Sequence, residues 1–354
     1  MRWPKTGLGR YLDGLLHGIA AQRGRDRLFV YYNSYRGEPF FAEGTRERFT
    51  RMPNRTLWNQ LRLPPAIQRD RCDVFLAGAS VSPVRLRIPA VLVVHDCLAF
   101  RDPAAKPGRE GRYWRRWTRA SAAQAARVVA VSESTAADCK KYLDVADDRL
   151  SVVHQGINPV FLQDGADLNA ARLLLQQVSV GESPFFLQVG AYDPHKGGDI
   201  AQAALRQLRA AGRRVFLVQC GPFRRDAGGP TPGVLKLDMV DDATLKGLYR
   251  LAAATCVPSR HEGFGLPVLE SMALGTPVVA ARAGGLIEAG GEVALYFDPG
   301  SSAALATALE SLLDAGAGAV ELRREEGRRW ALQFTWERAA SAVLDIIRAV
   351  AQRQ

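Results

Sequence analysis

Nothing in the sequence approaches the roughly 18 consecutive apolar residues that a membrane-crossing helix needs. The chain is therefore expected to be soluble, or to meet a membrane only through its surface. Cysteine is scarce: Cys72, Cys97, Cys139, Cys220 and Cys256 are odd in number and far apart, with no Cys-x-x-Cys or Cys/His cluster among them. That pattern excludes a disulfide framework and a zinc site, and predicts reduced core residues in a cytoplasmic compartment. No Asp-x-Asp element is placed to hold a catalytic metal, so no metal or other cofactor is expected. Asp13 and His17 interrupt the start of the chain and no small-residue cleavage site follows, which argues against a secretory signal. No fixed-period repeat is present.

What the sequence does have is a lopsided charge. Residues 1–164 hold 27 Lys/Arg against 16 Asp/Glu, whereas residues 165–354 hold 20 against 20, so the whole net charge of +11 sits in the first half. A field confined to one half suits an anionic partner such as nucleic acid, a phosphorylated acceptor or an anionic membrane face. A plain arginine-rich solvated surface is the alternative. The stretch Arg112-Tyr113-Trp114-Arg115-Arg116-Trp117-Thr118-Arg119 interleaves arginine with aromatics and is the candidate membrane contact, although Tyr113 and Trp117 could instead face the core.

A chain of 354 residues with 47% hydrophobic content can bury two cores. Short β-branched runs alternate with helical stretches: Leu28–Tyr32, Val74–Leu76, Ala90–Val94, Arg127–Val131 and Leu150–His154, then Phe185–Gly190, Val215–Gln219, Val234–Leu237, Ala254–Pro258 and Pro277–Ala281. Most are unbroken apolar runs, as parallel strands covered on both faces should be. Two doubly wound α/β domains follow. The boundary is expected between Asp164 and Ser183, giving domains 1–170 and 171–335, with a helix over 336–354 packing back on the first domain.

In such sheets ligands gather at the carboxyl ends of the strands. The strongest motif there is Pro258-Ser259-Arg260-His261-Glu262-Gly263-Phe264-Gly265-Leu266-Pro267-Val268-Leu269-Glu270-Ser271-Met272-Ala273-Leu274-Gly275. A strand ends near Pro258 and a helix begins near Leu266 with Pro267 in its first turn. The amides of Phe264, Gly265 and Leu266 then sit at a positive helix end suited to a diphosphate or to sugar hydroxyls. Glu262 precedes that helix and Glu270 lies about one turn inside it, so the two carboxylates can hold different parts of one extended ligand.

This stretch resembles the retaining GT-B glycosyltransferases related to glycogen synthase and the bacterial mannosyltransferases, whose Glu-x7-Glu signature it matches residue for residue. The resemblance implies a GT-B fold, two Rossmann-like doubly wound domains facing a central cleft. It also implies that Glu262 meets the donor hexose and Glu270 the ribose, and that Lys196, in Gly190-Ala191-Tyr192-Asp193-Pro194-His195-Lys196-Gly197, neutralises the leaving diphosphate. Family members commonly carry an arginine in that loop; here Ala191 and His195 stand at the corresponding places. Thr6-Gly7-Leu8-Gly9-Arg10-Tyr11 is similar to the family's first glycine loop, though glycine at a helix start is often only a turn. His95-Asp96, ending an apolar strand, matches an element whose histidine lies beside the reacting sugar; a structural histidine is the alternative. Gly221-Pro222 follows another strand, Val240-Asp241-Asp242 resembles the stretch that receives the base, and Gly284-Gly285 with Glu288 resembles a following Gly-Gly-x-x-Glu loop.

The expected activity is a retaining transfer of a hexose, mannose from GDP-mannose as the best match, to a glycan or lipid-linked acceptor hydroxyl. The place is the cytoplasm, or the inner face of the plasma membrane. The catalytic candidates are His95, Lys196 and Glu262. The donor-binding candidates are Gly7, Gly9, Ala191, His195, Lys196, Gly221, Val240, Glu262, Gly263, Phe264, Gly265, Leu266 and Glu270. A GT-B sugar nucleotide epimerase is the rival enzyme. A basic nucleic-acid-binding protein is the non-enzymatic rival, but no helix-turn-helix, zinc or RNA-recognition signature supports it, so no nucleic acid partner is expected. Finally, Gly7 and Gly9 arrive after only Met1–Thr6, too short and polar a stretch for the first strand of a doubly wound sheet. The expectation is an upstream start or a sheet one strand short.

Overall fold

The computed structural model of the protein describes residues 7–33, 41, 44–176, 180, 183–190, 193–222 and 231–352. The chain divides into two compact units, one made of Met1–Gly156 with Phe334–Gln354, the other of Ile157–Gln333.

In the second unit, six parallel strands form one sheet: β7 (Phe185–Val189), β8 (Phe216–Cys220), β9 (Val234–Leu237), β10 (Ala254–Val257), β11 (Val278–Ala281) and β12 (Leu295–Phe297). Their order is β12-β11-β10-β7-β8-β9. β10 and β11 are buried at every residue and β7 at all but its last, because helices cover both faces, and for that reason they read as apolar runs broken only by Gln188 and Thr255. Asp241 and Ser301 cap the Asp242–Leu251 and Ser302–Leu313 helices by accepting from the amides of Thr244 and Ala304. From β7 the chain builds outward through β8 and β9, then returns to add β10, β11 and β12 on the other side. The order therefore reverses between β7 and β10, where doubly wound sheets open a crevice at their carboxyl edge.

The strands of the first unit fall in two sheets. β1 (Leu28–Tyr32) pairs with β2 (Thr45–Phe49), and β3 (Phe75–Ala77), β4 (Ala90–Val94), β5 (Arg127–Ala130) and β6 (Leu150–Val152) form a second parallel sheet in that order. Among the described residues no ladder joins the two. The Gly7–Gln22 helix touches both pieces: Leu16 and Ala20 pack on the Val30, Tyr32 and Phe41 cluster, and Leu12 crowds Gly78 beyond β3. The expectation about a first strand concerns Met1–Thr6, which lie outside the described residues.

The Trp336–Ala351 helix packs along the Gly7–Gln22 helix. Gly14 and Gly18, four apart, leave the groove: a Cβ at Gly14 would overlap the Trp336 indole, and one at Gly18 would lie 2.7 Å from the Ala340 Cβ. Trp336 is 4% exposed and its ring meets Tyr11 edge-on at 5.4 Å.

The units divide at Gly156/Ile157, earlier than the expected 164–183. The intervening residues are already held by the second unit. Lys246 donates to the carbonyls of Gln163 and Asp164 at 3.1 and 2.9 Å, and the Asp167 amide donates to Ala243 O. Two strands are not among the expected runs: β12, apolar but only three residues long, and β2, which is Thr-Arg-Glu-Arg-Phe. In β2, Arg48 pairs with Asp70 at 3.0 Å and Glu47 accepts from the Phe41 amide, so charge is satisfied locally rather than excluded.

Candidate active site

In the second unit the expected residues converge on the carboxyl ends of four adjacent strands. Glu262 and the Gly263–Leu266 turn follow β10, the Gly190–Lys196 loop follows β7, Gly221 follows β8, and Val240 lies just past β9. The centre is at the β7/β10 reversal. There Lys196 Nζ sits 2.6 Å from Glu262 Oε1, and the Ser259 hydroxyl donates to the same oxygen at 2.6 Å. Burial works against a charged Glu262, but the Lys196 ammonium, the Ser259 hydroxyl and His195 outweigh it and hold the carboxyl below its ordinary range. The site is thus set up ionised at neutral pH, with a cation and an anion that can each be drawn off by a ligand.

Two sets of contacts position that pair. Under the loop, Gln202 donates to Gln219 at 2.8 Å, Gln219 to Gln188 at 2.9 Å, and Gln188 to the Lys196 carbonyl at 2.9 Å. Gln188 and Gln219 are register partners in β7 and β8, each 1% exposed, so the chain of amides is fixed by the ladder itself. Above it, Arg260 grips Asp199 through both guanidinium nitrogens, donates to Pro194 O, and through its amide donates to His195 O. Neither set was visible as a motif; the glutamines read as ordinary strand residues, and only the Ser259-x-x-Glu262 spacing could have flagged Ser259.

Local geometry explains the glycines here. Gly265 has φ of 137° and caps the Leu266–Ala273 helix; a Cβ would lie 2.9 Å from Leu286 and 3.2 Å from Ala289. Gly284 and Gly285 press against the 262–264 backbone, and the Gly285 amide donates to Glu262 O at 2.9 Å. Phe264 is buried beneath the turn. Glu270 is 4% exposed, and Tyr249 donates to its Oε2 at 3.0 Å, while Thr276 donates to Tyr249 O. Glu270 therefore stands apart from the Lys196–Glu262 pair, one turn inside the helix, held by a tyrosine the motif did not predict. Ala191 lies outside the described residues.

The candidates of the first unit form a group of their own at the carboxyl edge of β3, β4 and β5. His95 ends β4; its Nε2 is 2.8 Å from Gly78 O, its amide donates to Ser80 Oγ, and Tyr11 meets it edge-on at 4.4 Å. Gly9 is buried and Gly7 open at the start of the helix that carries Tyr11. Thr135, whose amide is capped by Ser132, donates to His95 O. Burial pushes the imidazole below its ordinary value, against opposing pulls from Gly78 O and Asp96. A nitrogen facing a carbonyl must carry the proton, so His95 is the neutral Nε2–H tautomer and its Nδ1 is an acceptor.

Residues 5–161 match Glycosyltransferase Family 4, and residues 183–315 match Glycosyl transferases group 1. A D-inositol 3-phosphate glycosyltransferase of Acidothermus cellulolyticus is 33% identical over 230 residues, 58% of this chain and 50% of that protein. An MMP alpha-(1->4)-mannosyltransferase of Mycolicibacterium hassiacum is 30% identical over 235 residues, 62% of this chain and 53% of that protein. The chain spans about half the length of these curated relatives. Anabaena HepE, solved in complex with UDP-glucose, shares the fold with a TM-score of 0.70 at 18% identity, over 95% of this chain and 96% of that one. Each half of the chain is thus similar to a glycosyltransferase family model, and the parallel sheets of both units share the GT-B fold of Anabaena HepE.

Proposed function

We propose that the protein is a retaining glycosyltransferase that moves a hexose, mannose from GDP-mannose, to an acceptor hydroxyl of a glycan or lipid-linked molecule on the cytoplasmic side. The observation that carries this reading is the Lys196–Glu262 pair at the β7/β10 reversal, beside a helix start. Breaking the bond between the sugar C1 and the diphosphate oxygen leaves negative charge on the diphosphate and an oxocarbenium-like sugar. Lys196 and the amides at the helix start meet that negative charge. Glu262, released from Lys196, accepts from the hexose hydroxyls, and Glu270 from the ribose. The departing phosphate oxygen takes the acceptor proton on the face it leaves, so configuration is retained and no metal or other cofactor is required. His95 Nδ1 offers an acceptor to a sugar hydroxyl.

The mannosyltransferase among the relatives supports mannose, whereas UDP-glucose in Anabaena HepE makes a UDP-sugar the competing donor. A panel of GDP-, UDP-, ADP- and dTDP-sugars read by thermal stabilisation separates them, because a ligand at about a hundred times its Kd adds about 2.7 kcal/mol to the folded state. GDP-mannose alone should stabilise strongly, and the anomeric proton of the product should show the donor's configuration. Stabilisation by a UDP-sugar alone would reassign the donor; an inverted product would overturn the mechanism.

A further inference from the structure

The ion pair at the β7/β10 reversal is not what holds its two loops in place. Lys196 is fixed through its backbone: its amide donates to Asp193 O at 2.9 Å and its carbonyl accepts from Gln188. The loop after β10 is fixed in the same way, with the Arg260 amide on His195 O at 2.8 Å and the Gly285 amide on Glu262 O at 2.9 Å. Both loops therefore keep their course if the two charged side chains part. The flexible four-carbon lysine stem can swing about its anchored backbone. Glu262 is steadied separately by Ser259, 1% exposed, whose hydroxyl donates to Oε1.

Within that frame the Nζ–Oε1 contact of 2.6 Å is partly open to solvent, the lysine side chain being 22% exposed and the glutamate 13%. Among the described residues Lys196 Nζ has no other hydrogen-bond partner. An ammonium is a point charge without the directional fork of a guanidinium, so it does not distinguish a carboxylate oxygen from a phosphate oxygen. In the empty site Glu262 thus takes the place on the lysine that a diphosphate would take. An arriving diphosphate must displace the carboxylate, and the displaced carboxylate is then an anion beside an anion.

We propose that Glu262 is an internal competitor for Lys196, through which the site tells a nucleoside diphosphate that carries a hexose from one that has lost it. The inference rests on the donor reading given above. A bare nucleoside diphosphate takes the ammonium and leaves Glu262 ionised without its cation. A nucleotide sugar brings hydroxyl donors as well, so the carboxylate gains new partners as the ammonium leaves it. Once the hexose has been transferred those donors are gone. Glu262 then returns to Lys196, and the hold on the spent diphosphate weakens. The pair thereby limits inhibition by product without weakening the hold on the donor.

The test is calorimetric titration of the full chain with GDP and with UDP, no sugar attached, for the wild type, Glu262→Gln, Lys196→Met and the double variant. Glutamine keeps the shape and can still accept from Ser259, but it does not pair with an ammonium. Glu262→Gln should therefore bind the preferred nucleoside diphosphate at least about tenfold more tightly, about 1.4 kcal/mol. Glu262→Ala should show the same gain, so that the result does not depend on the packing of one variant. In the Lys196→Met background the glutamine should give almost none of it, since no cation remains to be contested. A gain that persists in full without the lysine would mean plain repulsion between Glu262 and the diphosphate, and overturns the proposal. So does an unchanged or weaker affinity in both Glu262 variants. Binding of neither nucleotide to any of these proteins would remove the donor reading and this inference together, whereas binding without the gain removes this inference alone.

Discussion

Among the described residues, the two units differ in how their parallel strands are joined. In the second, six parallel strands form one ladder, and the reversal of strand order between β7 and β10 sets Lys196 and Glu262 at its carboxyl edge. Acidic and basic residues balance over residues 165–354. Among the described residues of the first, the ladder is in two pieces bridged by a helix, the charge is strongly positive, and the candidate His95 is packed by Tyr11, Gly78 and Ser80. The second unit carries an ion pair on a strand edge and the first a buried imidazole, which on the reading proposed above would serve the donor and the acceptor respectively.

The largest effect that sharpens this contrast is expected at Trp336. It fills the groove left by Gly14 and Gly18 in the first unit, so Trp336→Ala should cost about 3–5 kcal/mol of that unit's stability. Calorimetry should then resolve two transitions, with only the first moved to lower temperature. A single transition shifted as a whole would mean that the two units unfold together.

In the second unit, Lys196→Ala should lower kcat about a hundredfold, because about 3 kcal/mol of charge stabilisation at the diphosphate is lost. Initial rates with the donor identified by the thermal screen provide the check. Wild-type turnover in this variant would remove Lys196 from the mechanism.

How much of this could be read from sequence follows the same division. The largely apolar strands and the Glu262–Glu270 motif of the second unit declare themselves, since burial on both sheet faces favours apolar residues. β2 does not, because its Arg48 is paired with Asp70, distant in sequence, and its Glu47 accepts from a backbone amide. The boundary at Gly156 was hidden for a related reason: a lysine, Lys246, captures two carbonyls far back along the chain. The grouping of Lys196 with Glu262 was legible only as a resemblance. The amide chain that fixes it, Gln202 to Gln219 to Gln188, is a product of strand register, which no single run of sequence encodes.

That chain supplies a prediction of intermediate size. Gln219→Leu removes the middle of the relay and leaves the Gln188 amide without its buried partner, which should cost about 1–3 kcal/mol in stability. A loosened Lys196 loop should also lower kcat more than it raises the donor KM. Replacing Gln188 and Gln219 together with leucine should restore part of the stability, since neither buried amide is left half-satisfied, but not the rate, because the Lys196 carbonyl loses its donor. Recovery of both would show that the amides fill space and do not position Lys196.

The smallest effect is a slope rather than a step, and it belongs to the first unit. Burial holds His95 below its ordinary value of about 6.5, so as pH falls through that value the unfolded chain takes the proton first. The folded state therefore loses stability relative to the unfolded one between 6.5 and the lower folded-state pKa, and the contribution is complete above 6.5. His95→Gln keeps an amide N–H that can still reach Gly78 O but cannot titrate. Denaturant midpoints measured from pH 7.5 down to 5 should fall more steeply for the wild type than for this variant, with the two converging in slope at the upper end. The opposite sign, a wild type that gains on the variant as the pH falls, would mean that Asp96 holds an imidazolium against burial. His95 would then enter the reaction as a charged donor, and the contrast between a neutral first unit and an ionised second one would be lost.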